Sequence, residues 1–271
     1  MERDNAKKTP RIRYLTRREM LALMGSTAAA ITLAGCGGSE KSGEPGSGET
    51  TGASTSAAGG ETNGAAAETA STTCVVKPEQ TEGPYYVDTG LDRSDIREEA
   101  EGVPLELTFN VSRVDQGDIS ACGPLAGAVV DIWQCDAMGQ YSAVEDNSEG
   151  FSTQEETFLR GYQVTDENGT ARFTTIYPGW YQGRAVHIHF TIRDSPESQQ
   201  GYEFTSQLYF DDALTDEVHS QGPYAEKGPR DQRNSTDGIY QGGGDELTLA
   251  LTPSGEGYAG TFDIALDTTY A

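Results

Sequence analysis

From residue 74 onward, apolar and polar positions alternate in short runs, the period of a strand that turns one face to a core. Leu105, Leu107, Phe109 and Val111 are separated by Glu106, Thr108 and Asn110, and segments 171–176, 185–192, 204–210, 246–252 and 261–266 repeat the pattern. Turn signals stand between them: Asp166-Glu167-Asn168-Gly169, Tyr177-Pro178-Gly179 and Gly242-Gly243-Gly244. No stretch carries a helical period of useful length. Residues 211–244, full of Asp, Gly and Pro, read as an irregular excursion over a sheet. Six or more strands at this spacing predict one all-β domain over 74–271, a two-sheet β-sandwich.

The first 73 residues lack that pattern and divide in two. In 1–35, Arg11, Arg13 and the pair Arg17-Arg18 precede uncharged residues 20–34, and Leu33-Ala34-Gly35-Cys36 follows. The uncharged stretch is shorter than the ~20 residues of a bilayer span. It resembles a twin-arginine export signal ending in a lipobox, with Cys36 as the lipidated first residue of the mature chain. Residues 36–73 contain no aromatic and no large aliphatic side chain, so they cannot bury a core and read as a flexible tether. The expectation is an exported, cell-surface or periplasmic lipoprotein that meets the membrane only through its N-terminal anchor.

Charge narrows the partners. The chain holds 19 Lys/Arg and 43 Asp/Glu; seven and three of these fall in 1–35, which leaves 12 against 40 and a balance of −28. Such a surface repels nucleic acid and anionic lipid. Of four cysteines, Cys36 is accounted for by lipidation, and in an oxidising compartment any two of Cys74, Cys122 and Cys135 can pair. A continuous strand over 128–135 makes a Cys122–Cys135 bridge hard to close. No Cys-x-x-Cys spacing points to a thiolate metal site.

The chain has only three histidines, and two form His187-Ile188-His189 inside an alternating segment. Residues two apart on a strand share a face, so His187 and His189 point together while Val186, Ile188, Phe190 and Ile192 point the other way. Paired imidazoles of this kind either converge on one metal ion or pack as ordinary half-buried residues. The third, His219, lies in the excursion and reads as a surface residue.

Around this pair stand Trp133 followed by Gly139-Gln140-Tyr141, then Thr165-Asp166 with Gly169, then Thr175-Ile176-Tyr177-Pro178-Gly179-Trp180-Tyr181, then Arg184 with His187-Ile188-His189. Upstream lies Thr81-Glu82-Gly83-Pro84-Tyr85-Tyr86, and downstream Ser206-Gln207-Leu208-Tyr209-Phe210. Taken together these segments resemble the intradiol ring-cleavage dioxygenases, the group of catechol 1,2-dioxygenase and protocatechuate 3,4-dioxygenase, over nearly the whole alternating part. The resemblance implies one Fe(III) per chain, held by Tyr141, Tyr181, His187 and His189. It implies a catechol-type small molecule and O2 as substrates, and cleavage of the ring between the two hydroxyl-bearing carbons to a muconate-type diacid. Tyr181 is then the ligand that gives way to substrate and accepts its proton. Arg184 stabilises negative charge on the substrate, and Gln207 hydrogen-bonds behind the site. Tyr85, Tyr86 and Trp180 border the substrate cleft. Asp131 and Asp136 either hydrogen-bond near the iron or shape turns.

Two departures from the family pattern matter. A signal and a tether occupy the place of the helical N-terminal region that forms the family's dimer contact, which leaves the oligomeric state open. Only residues 182–186 separate Tyr181 from His187, a shorter loop than in cytosolic catechol dioxygenases, which leaves the particular catechol open. Competing readings are a non-catalytic prealbumin-like surface-binding module, which shares Pro124 to Val129 and the Thr165-Asp166 turn but lacks the tyrosines, and a cupin-type metal enzyme, which wants a further His and a Glu.

Overall fold

The longest alternating run becomes the central strand of one sheet. The computed structural model describes residues 74–115, 118–147, 150–195 and 201–268; the export signal, Cys36 and the tether over 36–73 lie outside these residues. The strands are β1 (Pro104–Asp115), β2 (Asp118–Pro124), β3 (Val129–Trp133), β4 (Glu145–Asp146), β5 (Phe151–Ser152), β6 (Arg160–Val164), β7 (Thr170–Ile176), β8 (His187–Arg193), β9 (Glu203–Tyr209), β10 (Leu251–Ser254) and β11 (Gly257–Asp267). In the first sheet β1 runs parallel to β11 on one side; on the other it pairs antiparallel with β7 along its first half and β2 along its second. The second sheet has the order β6-β3-β8-β9, every neighbour antiparallel. The small β4-β5 hairpin stands apart.

The two sheets meet through their apolar faces, as the alternation predicts for a β-sandwich. Phe109 and Phe262 of the first sheet lie 5.4–5.8 Å from Phe190 or from each other, ring centre to ring centre. Leu105, Leu107, Ile132, Ile188, Ile192 and Leu208 complete this dry layer, each at most 2% exposed. Truncation of one such phenyl ring removes ~3–5 kcal/mol.

Three local expectations are corrected. Residues 246–252 are not one strand: 246 and 247 lie in a turn, and only Leu251 onward joins β10. The alternation there is real, because Leu247 and Leu249 are buried, but they bracket Tyr209 through Tyr209 N–H to Leu247 O (3.0 Å) and Leu249 N–H to Tyr209 O (2.8 Å) at the end of β9. The excursion over 211–244 carries a two-turn helix, α1 (Asp212–His219), and a one-turn helix, α2 (Tyr224–Lys227). Asp211 caps α1 by accepting from the N–H groups of Ala213 and Leu214. His219 is half-buried rather than freely exposed: its Nε2–H donates to Pro178 O (3.0 Å), and its ring stacks on Tyr224 at 5.0 Å.

Cys74 and Cys122 form the disulfide, with Cα atoms 5.7 Å apart, and Cys135 is a buried free thiol. The bridge fixes the start of a strap, residues 74–86, that crosses from one sheet to the other. Ala265 N–H donates to Val75 O (2.7 Å) at β11, and Gln80 N–H donates to Thr205 O (3.0 Å) at β9. Closing a loop of this length is worth ~2–5 kcal/mol. The double substitution Cys74→Ser/Cys122→Ser is therefore expected to lower unfolding stability by that amount in urea titration under oxidising conditions. No change would show that the strap holds without its covalent clamp.

Candidate metal centre

β8 divides its side chains between two environments. Ile188, Phe190 and Ile192 enter the inter-sheet core, so His187 and His189 lie on the outer face, yet both are at most 2% exposed. What covers them is the strap and two loops. Trp133, opposite His189 on β3, lays its ring parallel to the imidazole at 5.0 Å. Gly83, at φ +75°, backs His189 so closely that a Cβ there would stand 3.1 Å from its Cε1.

Tyr141 and Tyr181 reach the same place on two interlocked turns. Asp136 accepts from the N–H groups of Met138 (2.9 Å) and Gln140 (2.8 Å), which builds the turn that presents Tyr141 and assigns Asp136 a turn role. Gly139, at φ +81°, packs against Trp180 O where any Cβ would collide, so the Tyr141 turn can press on the segment carrying Tyr181. The Tyr141 ring is 5.7 Å from that of Tyr181 and 6.3 Å from that of His189. Tyr181 Oη lies 3.3 Å from His187 Nε2, and the Nε2 atoms of His187 and His189 are 3.0 Å apart. His187 Nδ1–H donates to Ala185 O (2.6 Å), which fixes its tautomer and leaves Nε2 with a lone pair aimed into the site.

Arg184 approaches from the side. Its Nη1 is 3.4 Å from Tyr181 Oη and 3.5 Å from His187 Nε2, Nη2 donates to Gln207 Oε1 (2.6 Å), and Nε donates to Asp237 (2.9 Å). Gln207 is held in turn by its own amide, which donates to Thr81 O of the strap (2.8 Å). Tyr85 stacks on Tyr141 at 4.5 Å and meets Tyr181 edge-on at 5.7 Å, with its hydroxyl donating to Asp146. Tyr86 lies one layer back, against Trp133 at 4.8 Å. Trp180 makes its contacts elsewhere: the indole N–H donates to Gly228 O (3.2 Å), and Lys227 Nζ stands 4.8 Å over its ring. Asp131 pairs with Arg193 (3.3 Å).

Burial sets the protonation of these groups. It pushes the Tyr181 phenol up to about 12, partly opposed by Arg184, and raises Tyr141 well above the usual phenol range. It drives His187 down to about 3 and His189 well below its ordinary value, with Arg184 adding to both. In the protein alone the site therefore holds two neutral phenols and two neutral imidazoles. Arg160, 1% exposed, donates to Ser142 O (2.7 Å) and lies 6.0 Å over the Tyr141 ring; burial brings its guanidinium down to about 10.

These donors suit a metal ion. Two nitrogens bonded to one ion at right angles stand ~3 Å apart when each bond is ~2.1 Å, the spacing of the two Nε2 atoms. Tyr141 Oη is buried and, among the described residues, makes no hydrogen bond of good geometry, a cost that a cation in the site would remove. Among the described residues no group of three His, Cys, Asp or Glu side chains is placed to hold a metal; the donors beside the histidine pair are the two phenols. Hard anionic oxygens of this kind favour a ferric ion.

Comparison with known proteins identifies the family. Residues 81–227 match the family model described as Dioxygenase. An intradiol ring-cleavage dioxygenase from Tetranychus urticae is 31% identical, and the likeness covers 72% of this chain and 96% of that one with a TM-score of 0.62. The chain belongs to the intradiol ring-cleavage dioxygenases. Within this dioxygenase family, the dioxygenase domain of a carbohydrate-binding fusion protein from Streptomyces sp. SirexAA-E is 29% identical, covering 71% of this chain and 99% of that one at a TM-score of 0.51. A chlorocatechol 1,2-dioxygenase from Pseudomonas putida is 31% identical over 118 residues, 36% of this chain and 39% of the relative's length. The chain thus matches about two fifths of that relative.

Intradiol dioxygenases use non-haem iron, which accords with the Tyr and His donors. Asp237, Asp146, Arg160 and the part of the strap before Thr81 were not singled out by sequence reasoning. Asp237 stands 53 residues from Arg184, and Asp146 stands 61 from Tyr85, in segments without periodicity. Only a contact map reveals such pairs.

The depressed histidines make a pH prediction. Below about 6.5 the unfolded chain takes up protons that folded His187 and His189 refuse, so stability is fully present above that pH and is lost as pH falls. Each histidine contributes a slope of up to ~1.4 kcal/mol per pH unit. Urea midpoints of metal-free protein at pH 7.5 and 5.0 should therefore differ more in the wild type than in His187→Gln/His189→Gln. Equal differences would contradict this origin.

Proposed function

We propose that this chain is an Fe(III)-dependent enzyme, with one iron held by Tyr141, Tyr181, His187 and His189, that uses O2 to split catechol-type rings between their hydroxyl-bearing carbons. The product is a muconate-type diacid that keeps both atoms of O2, so catechol plus O2 balances the diacid without another reductant. The observation that carries the reading is the approach of the two Nε2 atoms and two phenols, from three separate stretches of chain, to one point. When bound, ferric iron supplies a Lewis-acidic, redox-active centre for the catecholate and O2.

The chain's own groups divide the remaining work. Tyr141 is 1% exposed and walled by Tyr85 and Arg160, which suits a ligand that stays in place. Tyr181 is only part-buried, at the open side of the site, and a phenolate released there from a cation would regain the high proton affinity that burial gives it. It is the group placed to give way and to accept a proton from an arriving catechol hydroxyl. Arg184 Nη1, beside Tyr181 Oη, faces negative charge on the bound catecholate. Stacked Trp133 and Tyr85 exclude water from His189 and Tyr141. Tyr85, which meets both tyrosines, is assigned to the border of the substrate cleft, while Tyr86 supports Trp133 from behind and Trp180 packs away from the ligand set.

Export of a folded, lipid-anchored protein through Cys36 completes the reading. The Cys74–Cys122 bridge supports it, since such bonds persist in oxidising compartments.

Purified protein loaded with Fe(III) should bind one iron per chain, show a broad visible phenolate-to-iron band and consume O2 with a catechol. Tyr141→Phe and His187→Ala are expected to lose the band and the iron. Arg184→Gln is expected to keep both and to lose turnover by ~100–1,000-fold. Protein that stays colourless after iron loading, or that turns over no member of a panel of catechols and hydroxyquinols, would contradict the reading.

A further inference from the structure

The guanidinium of Arg184 is held at two of its three nitrogens, and this leaves the third aimed at the ligand set. Nη2 is fixed by Gln207 Oε1 (2.6 Å), with Tyr209 Oη at 3.4 Å, and Nε is fixed by Asp237 Oδ2 (2.9 Å). Nη1 then has Tyr181 Oη and His187 Nε2 before it, at 3.4 and 3.5 Å. Among the described residues Asp237 is the one carboxylate that pairs with Arg184.

Asp237 is itself rigid. It follows the short 3-10 turn Asn234–Thr236 in the excursion and is 1% exposed. Oδ2 also accepts Ala185 N–H (2.7 Å), while Oδ1 accepts Ile239 N–H (2.7 Å) and Tyr240 N–H (3.1 Å). One carboxylate thus ties the arginine side chain, the backbone entering β8 and its own loop into one unit. Burial alone would raise its pKa, but these N–H groups and Arg184 keep it below the ordinary carboxylate range, so it is charged when a catechol binds.

We propose that Asp237 is the positioning residue that aims Arg184 Nη1 at the bound substrate, and that it acts on turnover only through Arg184. The inference rests on the reading of the site as an iron catechol dioxygenase. The hydrogen bonds of the Asp237 carboxylate among the described residues go to Arg184, Ala185, Ile239 and Tyr240 and to none of the four ligands, so it is not a catalytic residue. Without its charge the guanidinium keeps one fixed nitrogen and can turn about it; an error of about 1 Å in such a group costs ~100-fold in rate.

The test is a double-mutant cycle on iron-loaded protein with Asp237→Asn, Arg184→Gln and the pair. Iron content, the visible band, thermal midpoint, anaerobic catechol Kd and steady-state kcat are measured for each. Asp237→Asn is expected to keep iron and band, to leave catechol Kd within about threefold, and to lose kcat by ~10–100-fold. The pair is expected to be no slower than Arg184→Gln alone. Asp237→Ser is the second variant: it opens space beside Nε, and added formate should restore part of its kcat while leaving Arg184→Gln unaffected. Wild-type kcat in Asp237→Asn, or losses that multiply in the pair, would overturn the proposal and leave the dioxygenase reading intact. Failure of both Asp237 variants to fold while Arg184→Gln folds would overturn it too, making Asp237 a folding residue first. Absence of iron binding or turnover in the wild type would overturn the dioxygenase reading, and the proposal with it.

Discussion

The two-residue period of β8 is the constraint from which the rest of the molecule follows. A single strand must satisfy two opposite environments, because Ile188, Phe190 and Ile192 complete the layer between the sheets while His187 and His189 face away from it. Burying imidazoles on that outer face demands a cover, and the strap, the Tyr141 turn and the Tyr181 segment provide one. A slip of one residue in the β8 register would exchange the faces, placing histidines in the dry core and phenyl rings in the site. Core packing and donor placement are therefore one requirement.

The cover creates an electrostatic problem that the site turns to use. Desolvation keeps both imidazoles neutral and both phenols protonated, so the four donors carry no net charge until a cation displaces the phenolic protons. Two guanidinium groups stand close by, Arg160 over the Tyr141 ring and Arg184 beside Tyr181. Both favour phenolate over phenol, and Asp237 offsets the second. The long-range bonds of the strap make this arrangement depend on residues that precede the first strand: Thr81 holds Gln207, and Gly83 backs His189.

The legibility of these features in the sequence follows their physics. β1, β7, β8, β9 and β11 each bury one face more than the other or carry chemistry on one face, and alternation marks them. β3 is buried on both sides over Val129–Trp133, so no period distinguishes it, and Gly161 interrupts β6. Residues 246–252 alternate for another reason, since Leu247 and Leu249 grip the end of β9 without forming a ladder. α1 escaped because it buries only Thr215 and Val218. At the site, His-x-His is a local signal and the two tyrosines were found through the spacing of family motifs, whereas Asp237 and Asp146 are joined to their partners only by the fold.

The central claim is that four side chains hold one ferric ion. Crystals of iron-loaded protein, measured on either side of the iron absorption edge, test it directly. The account predicts a single anomalous peak per chain, bonded to Nε2 of His187 and His189 and to the phenolic oxygens of Tyr141 and Tyr181. A peak elsewhere, or one ligated by the histidines with both tyrosines turned away, would contradict it.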